Sequence, residues 1–267
     1  MSMPTGVYRA VKKNGSEYYR ISITYKGRHI SLGSCDDLDT AARTYEEASA
    51  LLKGDKGINE YSSFSTIPYD KFIILINFRD NGVYFHNPVY LHQRYFSYFL
   101  DRETELKFDT DDLFFYSQHR IQRRGGHLFV ENYGTQMSVH QRYGLHPFSV
   151  PGRDFRFKNG DETDYRYENL EIINRYMGVE LIENTIPKKY RASIHVRGYY
   201  NLGVFDSEEK AAIAFNKARK ALKKAGIKKD IPANFIADLT SEEYDEIYEK
   251  TVLPESFLKY VESNKLS

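Results

Sequence analysis

The chain of 267 residues has no tryptophan and a single cysteine, Cys35. One cysteine cannot form an internal disulfide, excludes a cysteine-ligated zinc finger and fits a reducing compartment. No long apolar run is present, and the first residues lack the pattern of a signal peptide, so we expect neither a transmembrane helix nor any membrane partner. These absences predict a cytoplasmic protein.

An excess of charge of either sign is also missing, because the formal net charge is only +1. A strongly basic chain would indicate a nucleic-acid partner by itself, so here any such indication must come from local charge. Apolar residues make up 41% of the chain, which is enough for two or three small domains with real cores.

An internal repeat is the main feature that is present. Each copy contains a Gly-Val pair, an aromatic-Arg-x-x-Ile strand, a Leu-Gly pair and an Ala-Ala-x-x-aromatic-x-x-Ala segment. In both copies 20 positions separate the leucine of the Leu-Gly pair from the last apolar residue, Leu32 to Leu52 and Leu202 to Leu222. Such self-similarity predicts two copies of one folding unit.

Alternating apolar and polar residues predict the strands of each unit. Tyr19, Ile21 and Ile23 alternate with polar residues, which is typical of a half-buried strand, and Lys26-Gly27 forms a turn before the alternation resumes. The apolar residues that follow, from residue 41 to 52, share one helical face. Each unit is therefore predicted to be three antiparallel strands with one helix on one face.

The other face of each sheet is the candidate binding surface. Its outward residues are rich in Arg and hydroxyl groups and almost free of acids, which suits phosphates and base edges in the major groove. An ordinary solvated sheet face is the alternative. The candidate DNA-binding residues are Tyr8, Arg20, Ser22, Thr24, Arg28 at the edge, His29 and Ser31 in the first copy, and Arg191, Ser193, His195, Arg197, Tyr199 and Asn201 in the second.

The repeat resembles the DNA-binding domain of plant ethylene response factors and its relatives in homing endonucleases and integrases of phages and mobile elements. The resemblance covers residues 5–54 and 177–226. It implies that the three-stranded sheet lies in the major groove with the helix packed behind it. The tryptophans of the family are replaced here by Tyr19, Ser31, Tyr190 and Asn201, and the loss at Ser31 and Asn201 bears on base specificity.

Residues 106–176 carry a second motif, in which Asn159-Gly160-Asp161 predicts a hairpin turn. Arg166-x-x-Asn169-Leu170 then predicts the start of a short helix, so the segment is predicted to be strand, turn, strand, helix. It resembles the HNH nuclease domain of the same homing endonucleases, which commonly precedes such a DNA-binding module.

The resemblance implies a damaged nuclease. The family needs a metal-binding Asp and a general-base His just before the Asn-Gly turn, and those positions hold Arg156 and Phe157. Phe cannot take a proton, Arg repels a cation, and the remaining Asn169 is a neutral amide that does not hold Mg²⁺ alone. We therefore expect no catalytic residue, no metal and no cofactor. A shifted metal site at Asp154 and Asp161, or a displaced base at His140 or His146, is the alternative.

The other segments carry no chemistry that the sequence reveals. Residues 71–78 predict a buried strand, and the aromatic residues between 90 and 100 predict a helix or core segment. Near the C-terminus, Thr240 is predicted to cap one helix and Pro254 to begin another. These two helices either pack on the core or form a homodimer contact.

Together these expectations describe an α+β protein in which two small three-stranded antiparallel sheet plus helix modules flank a ββα (HNH-like) central domain, followed by C-terminal helices. The expected segments are 1–60 (first module), 61–176 (degenerate HNH-like domain), 177–230 (second module) and 231–267 (helical extension). The expected partner is double-stranded DNA, which would place the protein at the nucleoid when bound. The expected function is a non-catalytic regulator or accessory factor derived from a phage or mobile-element homing endonuclease. An active metal-dependent HNH homing or nicking endonuclease and a protein-interaction adaptor are the alternatives.

Overall fold

The computed structural model describes residues 3–132, 134–227 and 229–265. Helices and small antiparallel sheets alternate along the chain, which confirms the predicted α+β class. The chain forms two compact units. Unit 1 comprises the chain up to residue 124 with 130–134 and 161–167, and unit 2 comprises 125–129, 135–160 and the chain from residue 168 onward. The expected central segment 61–176 is thus divided between them.

The first module begins unit 1 and has the predicted three antiparallel strands in the order β1-β2-β3. Its helix starts at Asp37, whose side chain accepts a hydrogen bond from the backbone N–H of Thr40. The apolar face of the helix buries Ala41, Ala48 and Leu51 against the sheet. The elements are β1 (Val7–Val11), β2 (Glu17–Tyr25), β3 (Arg28–Cys35) and α1 (Leu38–Lys53).

The remainder of unit 1 tests two sequence predictions. Residues 71–78 are not a strand but lie in α2 (Tyr69–Asn81), which is buried along nearly its whole length. A continuous apolar run looks the same in a fully buried helix as in a buried strand, which explains the error. The aromatic segment was expected to be a helix or a core segment, and it forms strands whose residues Phe96, Tyr98 and Phe99 are buried in the core. These strands are β4 (Val89–Leu91) and β5 (Tyr95–Phe99), followed by β6 (Glu105–Asp109).

Helix α2 and the first module share one hydrophobic core, which also includes Phe99. The short helix α3 (Leu113–Gln118) comes next. The strands β7 (Ile121–Arg124), β8 (His127–Asn132) and β9 (Thr135–Ser138) follow, in the stretch of chain that is divided between the two units.

Unit 2 contains the expected nuclease-like hairpin but not its helix. Strand β10 (Phe155–Phe157) pairs antiparallel with β11 (Leu170–Ile172), so the segment that was predicted to open a helix is a turn that leads into a strand. The pairing places Arg156 opposite Glu171, and their side chains form an ion pair of 2.7 Å. Cross-strand pairing thus outweighs the local helix signal, and the ββα prediction is wrong in its last element.

The second module of unit 2 repeats the architecture of the first, with strand order β12-β13-β14. Its helix is capped by Ser207, whose side chain accepts from the backbone N–H of Lys210. The elements are β12 (Val179–Ile182), β13 (Lys189–His195), β14 (Tyr199–Phe205) and α4 (Glu208–Lys224).

Two C-terminal helices, α5 (Ser241–Lys250) and α6 (Glu255–Ser263), pack on this module. The predicted Thr240 cap is confirmed by a reciprocal hydrogen-bonded box with Glu243. Phe257 packs edge-to-face on Tyr200 with ring centroids 5.7 Å apart. Of the apolar faces that suggested a dimer contact, Phe257 and Val261 are buried within unit 2, whereas Val252 and Leu258 are exposed.

The two modules share unusual backbone features as well as their topology. Gly6 and Gly178 both adopt positive φ, +71° and +73°, and their backbone oxygens accept hydrogen bonds from the N–H groups of Ser22 and Ser193. A Cβ at either glycine would clash with the ring of Tyr45 or Phe215. The pairing register also shifts at the same place, between residues 21 and 22 and between residues 192 and 193. These matches confirm the internal repeat at the level of structure.

None of the helices in the described ranges is long and apolar enough to cross a membrane.

Candidate nucleic-acid interface

The outer face of the first sheet is defined by the pairing register. Tyr8 lies opposite Arg20, Arg20 opposite Ser34, and Thr24 opposite His29. Since residues on one face of a sheet recur every second position, these side chains share the face away from α1. We call this surface the first outer face; its residues are Tyr8, Ala10, Tyr18, Arg20, Ser22, Thr24, His29, Ser31 and Ser34. It carries no aspartate or glutamate.

Arg20 is the central cation of the first outer face. Its Nε donates to the hydroxyl of Tyr18 at 3.2 Å, and its guanidinium carbon lies 5.7 Å from the centroid of that ring. The described residues offer it no carboxylate within ion-pair distance. An arginine that is held by an aromatic ring and keeps its full charge is suited to bind phosphate or the edge of a guanine.

Two predicted residues of the first copy are not accessible on the first outer face. Ser22 is only 8% exposed, because the register shift beside it and the Gly6 segment cover its position. Arg28 pairs with Tyr25 on the helix side of the sheet, and its guanidinium carbon lies 4.2 Å from the centroid of the Tyr84 ring. Tyr8, Thr24, His29 and Ser31 are exposed as predicted.

The second sheet does not have an acid-free face. Glu180 occupies the position opposite Arg191, where the first sheet has Tyr8 opposite Arg20. The Oε2 of Glu180 lies 3.2 Å from Nη1 of Arg191, so the cation is neutralised within its own sheet. The expectation of acid depletion in both copies is therefore wrong for the second.

Residues 146–154 also lie beside this face, because residues of both line one cavity. Within unit 2, a cavity of about 340 Å³ is lined on one side by Glu180, Ser193 and Tyr199 and on the other by Phe148 and Arg153. Duplex DNA needs an open sheet to enter the groove, so this segment restricts its access to the second sheet.

The hairpin end of the second sheet holds the other predicted residues. His195 stacks near Tyr199, with ring centroids 4.5 Å apart, and its Nδ1 lies 3.2 Å from Nζ of Lys229. Arg197 is exposed at the turn with a positive φ of +56°, and the Oδ1 of Asn201 accepts the backbone N–H of Gly203 at 3.0 Å. Asn201 thus supports its own strand.

The hairpin of β10 and β11 uses for its own structure the positions at which the resembled nucleases have their catalytic residues. Arg156 is ion-paired with Glu171 on the neighbouring strand, and Phe157 packs edge-to-face on Phe155. Asn169 is 4% exposed, and its Oδ1 accepts the backbone N–H of Asn159 at 2.9 Å. The amide that would bind a metal in the resembled family therefore closes the hairpin turn.

The carboxylates that were considered as alternative metal ligands, Asp154 and Asp161, are also engaged in hydrogen bonds with the protein. The buried carboxylate of Asp154 accepts from the N–H of Val150 and from Arg153, at 2.8 and 2.7 Å, and His146 Nε2 lies 3.5 Å away. Burial alone would raise the pKa of Asp154, but these hydrogen bonds hold it well below its usual range. Asp161 accepts from Thr163 and from Lys107. Each carboxylate is thus bound by the protein itself.

His140 is a packing residue. It lies against Phe155 with ring centroids 4.5 Å apart and is 9% exposed. Burial, with smaller contributions from His127 and His146, lowers the pKa of His140 to about 4. It is therefore neutral at pH 7. Within the described ranges, no three His, Cys, Asp or Glu side chains are grouped so that they could hold a metal ion.

Three residues of the outer sheet faces were not predicted from the sequence. Tyr18 and Ser34 share the first outer face by register, and Glu180 lies on the corresponding face of the second sheet. The alternation around Tyr19 contains the signal for Tyr18. Ser34 was hidden by the register shift, and Glu180 becomes visible when the two Gly-Val pairs are aligned, because it then matches Tyr8.

No protein-family model matches this chain, and neither the curated proteins nor the solved structures include a significant match to it.

Proposed function

We propose that this protein binds double-stranded DNA, without cutting it, through the first outer face. The observation that carries the proposal is the unneutralised Arg20, held by Tyr18 on an exposed sheet face that has hydroxyl groups and no acid. Arginine, serine and threonine side chains supply the donors that phosphates and major-groove base edges accept.

The second module contributes differently in this proposal. Its equivalent cation is neutralised by Glu180, and its face borders the cavity beside Phe148. We infer that it does not enter the major groove as the first module does. The protein then reads a short site with one sheet, in place of a long site with two.

The absence of cutting rests on the nuclease-like hairpin. Arg156 and Phe157 stand where the resembled nucleases need a metal ligand and a base, and Asn169 is bound to the turn. A protein of this kind acts as a regulator or accessory factor that marks DNA, and its origin in a phage or mobile-element homing endonuclease explains the order of the segments. Its place is the cytoplasm, at the nucleoid when DNA is bound.

Binding and cutting are tested with the full chain in two parallel assays. Fluorescence anisotropy with a labelled random duplex at low salt is expected to show saturable binding. Supercoiled plasmid incubated with Mg²⁺ or Mn²⁺ is expected to stay intact. Absence of any anisotropy change at low salt would contradict DNA binding. Metal-dependent nicking of the plasmid that Asn169→Ala abolishes would contradict the proposal that the protein does not cut DNA.

A further inference from the structure

The cavity of unit 2 has the size and lining of a small-molecule site. Its volume of about 340 Å³ lies in the range of roughly 300–1,000 Å³ that is typical of ligand pockets. One wall is the outer face of the second sheet and the other is the 146–154 segment. No step of the proposed DNA binding by the first sheet uses it.

The apolar part of the lining is suited to a flat ring. Two aromatic side chains of the lining are strongly exposed, Phe148 at 62% and Tyr199 at 83%. Met177 and Val179 add apolar surface to the lining. Exposed aromatic rings beside a cavity offer stacking surfaces for planar heterocycles.

The polar part of the lining offers neutral donors and acceptors. In the described ranges the hydroxyls of Ser193 and Tyr199 make no hydrogen bond with protein groups, and the buried Nδ1 of His146 has no partner. A buried polar atom without a partner favours an occupant or a rearrangement that supplies one. A ligand edge that both donates and accepts hydrogen bonds matches this set.

The charges of the lining argue against an anion. The lining has two carboxylates, Asp154 and Glu180, and each is ion-paired with an arginine, Arg153 and Arg191, so the cavity offers an incoming anion no arginine that lacks an acidic partner. The guanidinium of Arg153 donates to Asp154 at 2.7 Å, and this hydrogen bond raises the pKa of Arg153. A phosphate inside the cavity would face two carboxylates, whereas a neutral ring with an amino group can donate to Glu180.

We propose that this cavity binds a purine or pyrimidine base, which is planar, neutral at pH 7 and edged with both donors and acceptors. The base stacks on Tyr199 and hydrogen-bonds with Ser193 and Glu180. It comes either from a free nucleoside or from a nucleotide extruded from DNA, as in proteins that take a base out of the duplex. Only the second source rests on the proposed function.

The first arm of the test uses adenosine, guanosine, cytidine and thymidine with the full chain, observed by saturation-transfer NMR and titrated by calorimetry. Tyr199→Ala is expected to weaken binding roughly 5-fold to 150-fold, the range that the loss of base–aromatic stacking produces. The matched control is Phe235→Ala, because Phe235 is an equally exposed aromatic of unit 2, at 87%, that does not line the cavity. Both variants remove an exposed ring, so the fold is kept, and circular dichroism checks this.

The second arm uses a duplex with 2-aminopurine opposite an abasic site, which lowers the cost of extrusion. End-label anisotropy reports DNA binding, and the emission of 2-aminopurine reports the environment of the base in the same sample. An emission change that Tyr199→Ala removes, with anisotropy unchanged, identifies the extruded source.

The outcomes separate the two proposals. Nucleoside binding that depends on Tyr199 supports the cavity as a base site even if no duplex is bound, in which case DNA binding alone fails. The base site is overturned if neither arm gives a signal, or if the signals are the same in the parent, in Tyr199→Ala and in Phe235→Ala.

Discussion

Replacing Arg20 by alanine tests whether the first outer face carries DNA binding. The matched control is Arg191→Ala, since Arg191 occupies the equivalent position of the second sheet. Arg20 has no carboxylate partner in the described chain and donates a hydrogen bond to the hydroxyl of Tyr18, whereas Arg191 forms an ion pair with Glu180 at 3.2 Å. The two substitutions remove the same side chain from the same place in the same fold, and they differ only in what surrounds it.

The expected magnitude follows from counterion release. Each phosphate that a cation neutralises contributes a slope of about −0.9 to a plot of log affinity against log salt concentration. Arg20→Ala should therefore reduce the steepness by about 0.9 if Arg20 contacts a phosphate. Between about 50 and 200 mM salt, the affinity of the variant should then fall roughly 3.5-fold less than that of the parent. Arg191→Ala should leave the slope unchanged.

The assay is anisotropy with a labelled random duplex, titrated at five or more salt concentrations. A salt dependence that becomes less steep in Arg20→Ala but not in Arg191→Ala supports the inference that the first sheet binds DNA and the second does not. If Arg20 contacts a base edge, the slope changes little, and the affinity for a selected site falls by about 1–3 kcal/mol instead. Equal effects of the two substitutions, or no effect of Arg20→Ala on slope or affinity, would refute the reasoning.

Three further predictions concern stability, each measured by urea unfolding. The carboxylate of Glu47 accepts the backbone N–H groups of residues 65–67, which outweighs its burial and lowers its pKa from 4.5 to about 2. Its contribution is therefore present above pH 4.5 and lost as the pH falls towards 2, and Glu47→Gln should flatten that part of the stability profile. Gly178→Ala should destabilise the protein by about 1–3 kcal/mol more than Gly15→Ala. Both glycines have positive φ, but only at Gly178 would the added Cβ meet the ring of Phe215 and the backbone oxygen of Ser193. Equal losses would mean that this close contact does not affect stability. Asn169→Ala should cost about 1–3 kcal/mol, since it removes the side-chain oxygen that accepts the backbone N–H of Asn159, and a smaller loss would show that the turn does not depend on this amide.

The repeat could be predicted from the sequence because its signals are local. Alternation around Tyr19, the Leu-Gly pair and the apolar face of each helix depend on neighbours in the chain, and the structure has the corresponding elements. Gly6 and Gly178 could be noticed as a motif, but the reason for them could not, because it lies in the rings of Tyr45 and Phe215 that pack against them.

The wrong secondary-structure predictions concern segments whose structure is determined by tertiary contacts. The helix α2 was mistaken for a strand because an apolar run that is buried on all sides has no amphipathic period. The segment after Arg166 was expected to be helical, but Leu170–Ile172 pairs with a strand 15 residues earlier in the chain.

The candidate site was predicted in part for the same reason. The outward positions of the first sheet follow from alternation, apart from the register shift beside Ser22. The neutralised charge and the restricted access of the second sheet do not follow from alternation, because Glu180 comes from another strand and Phe148 from a distant segment. Equal sequence patterns therefore led to an expectation of two equal faces, and packing makes them unequal.

Mapping of contacts by photocrosslinking tests the central claim most directly. A duplex that carries 5-bromodeoxyuridine is bound to the full chain at low salt and irradiated, and the linked peptides are identified by mass spectrometry. We predict crosslinks in the strands of the first sheet, at Tyr8 or Tyr18, and within β12–β14 only at the proposed base site, at Ser193 or Tyr199. Crosslinks concentrated in the second sheet or in the C-terminal helices, with the first sheet unlabelled, would contradict the claim that the first outer face binds DNA.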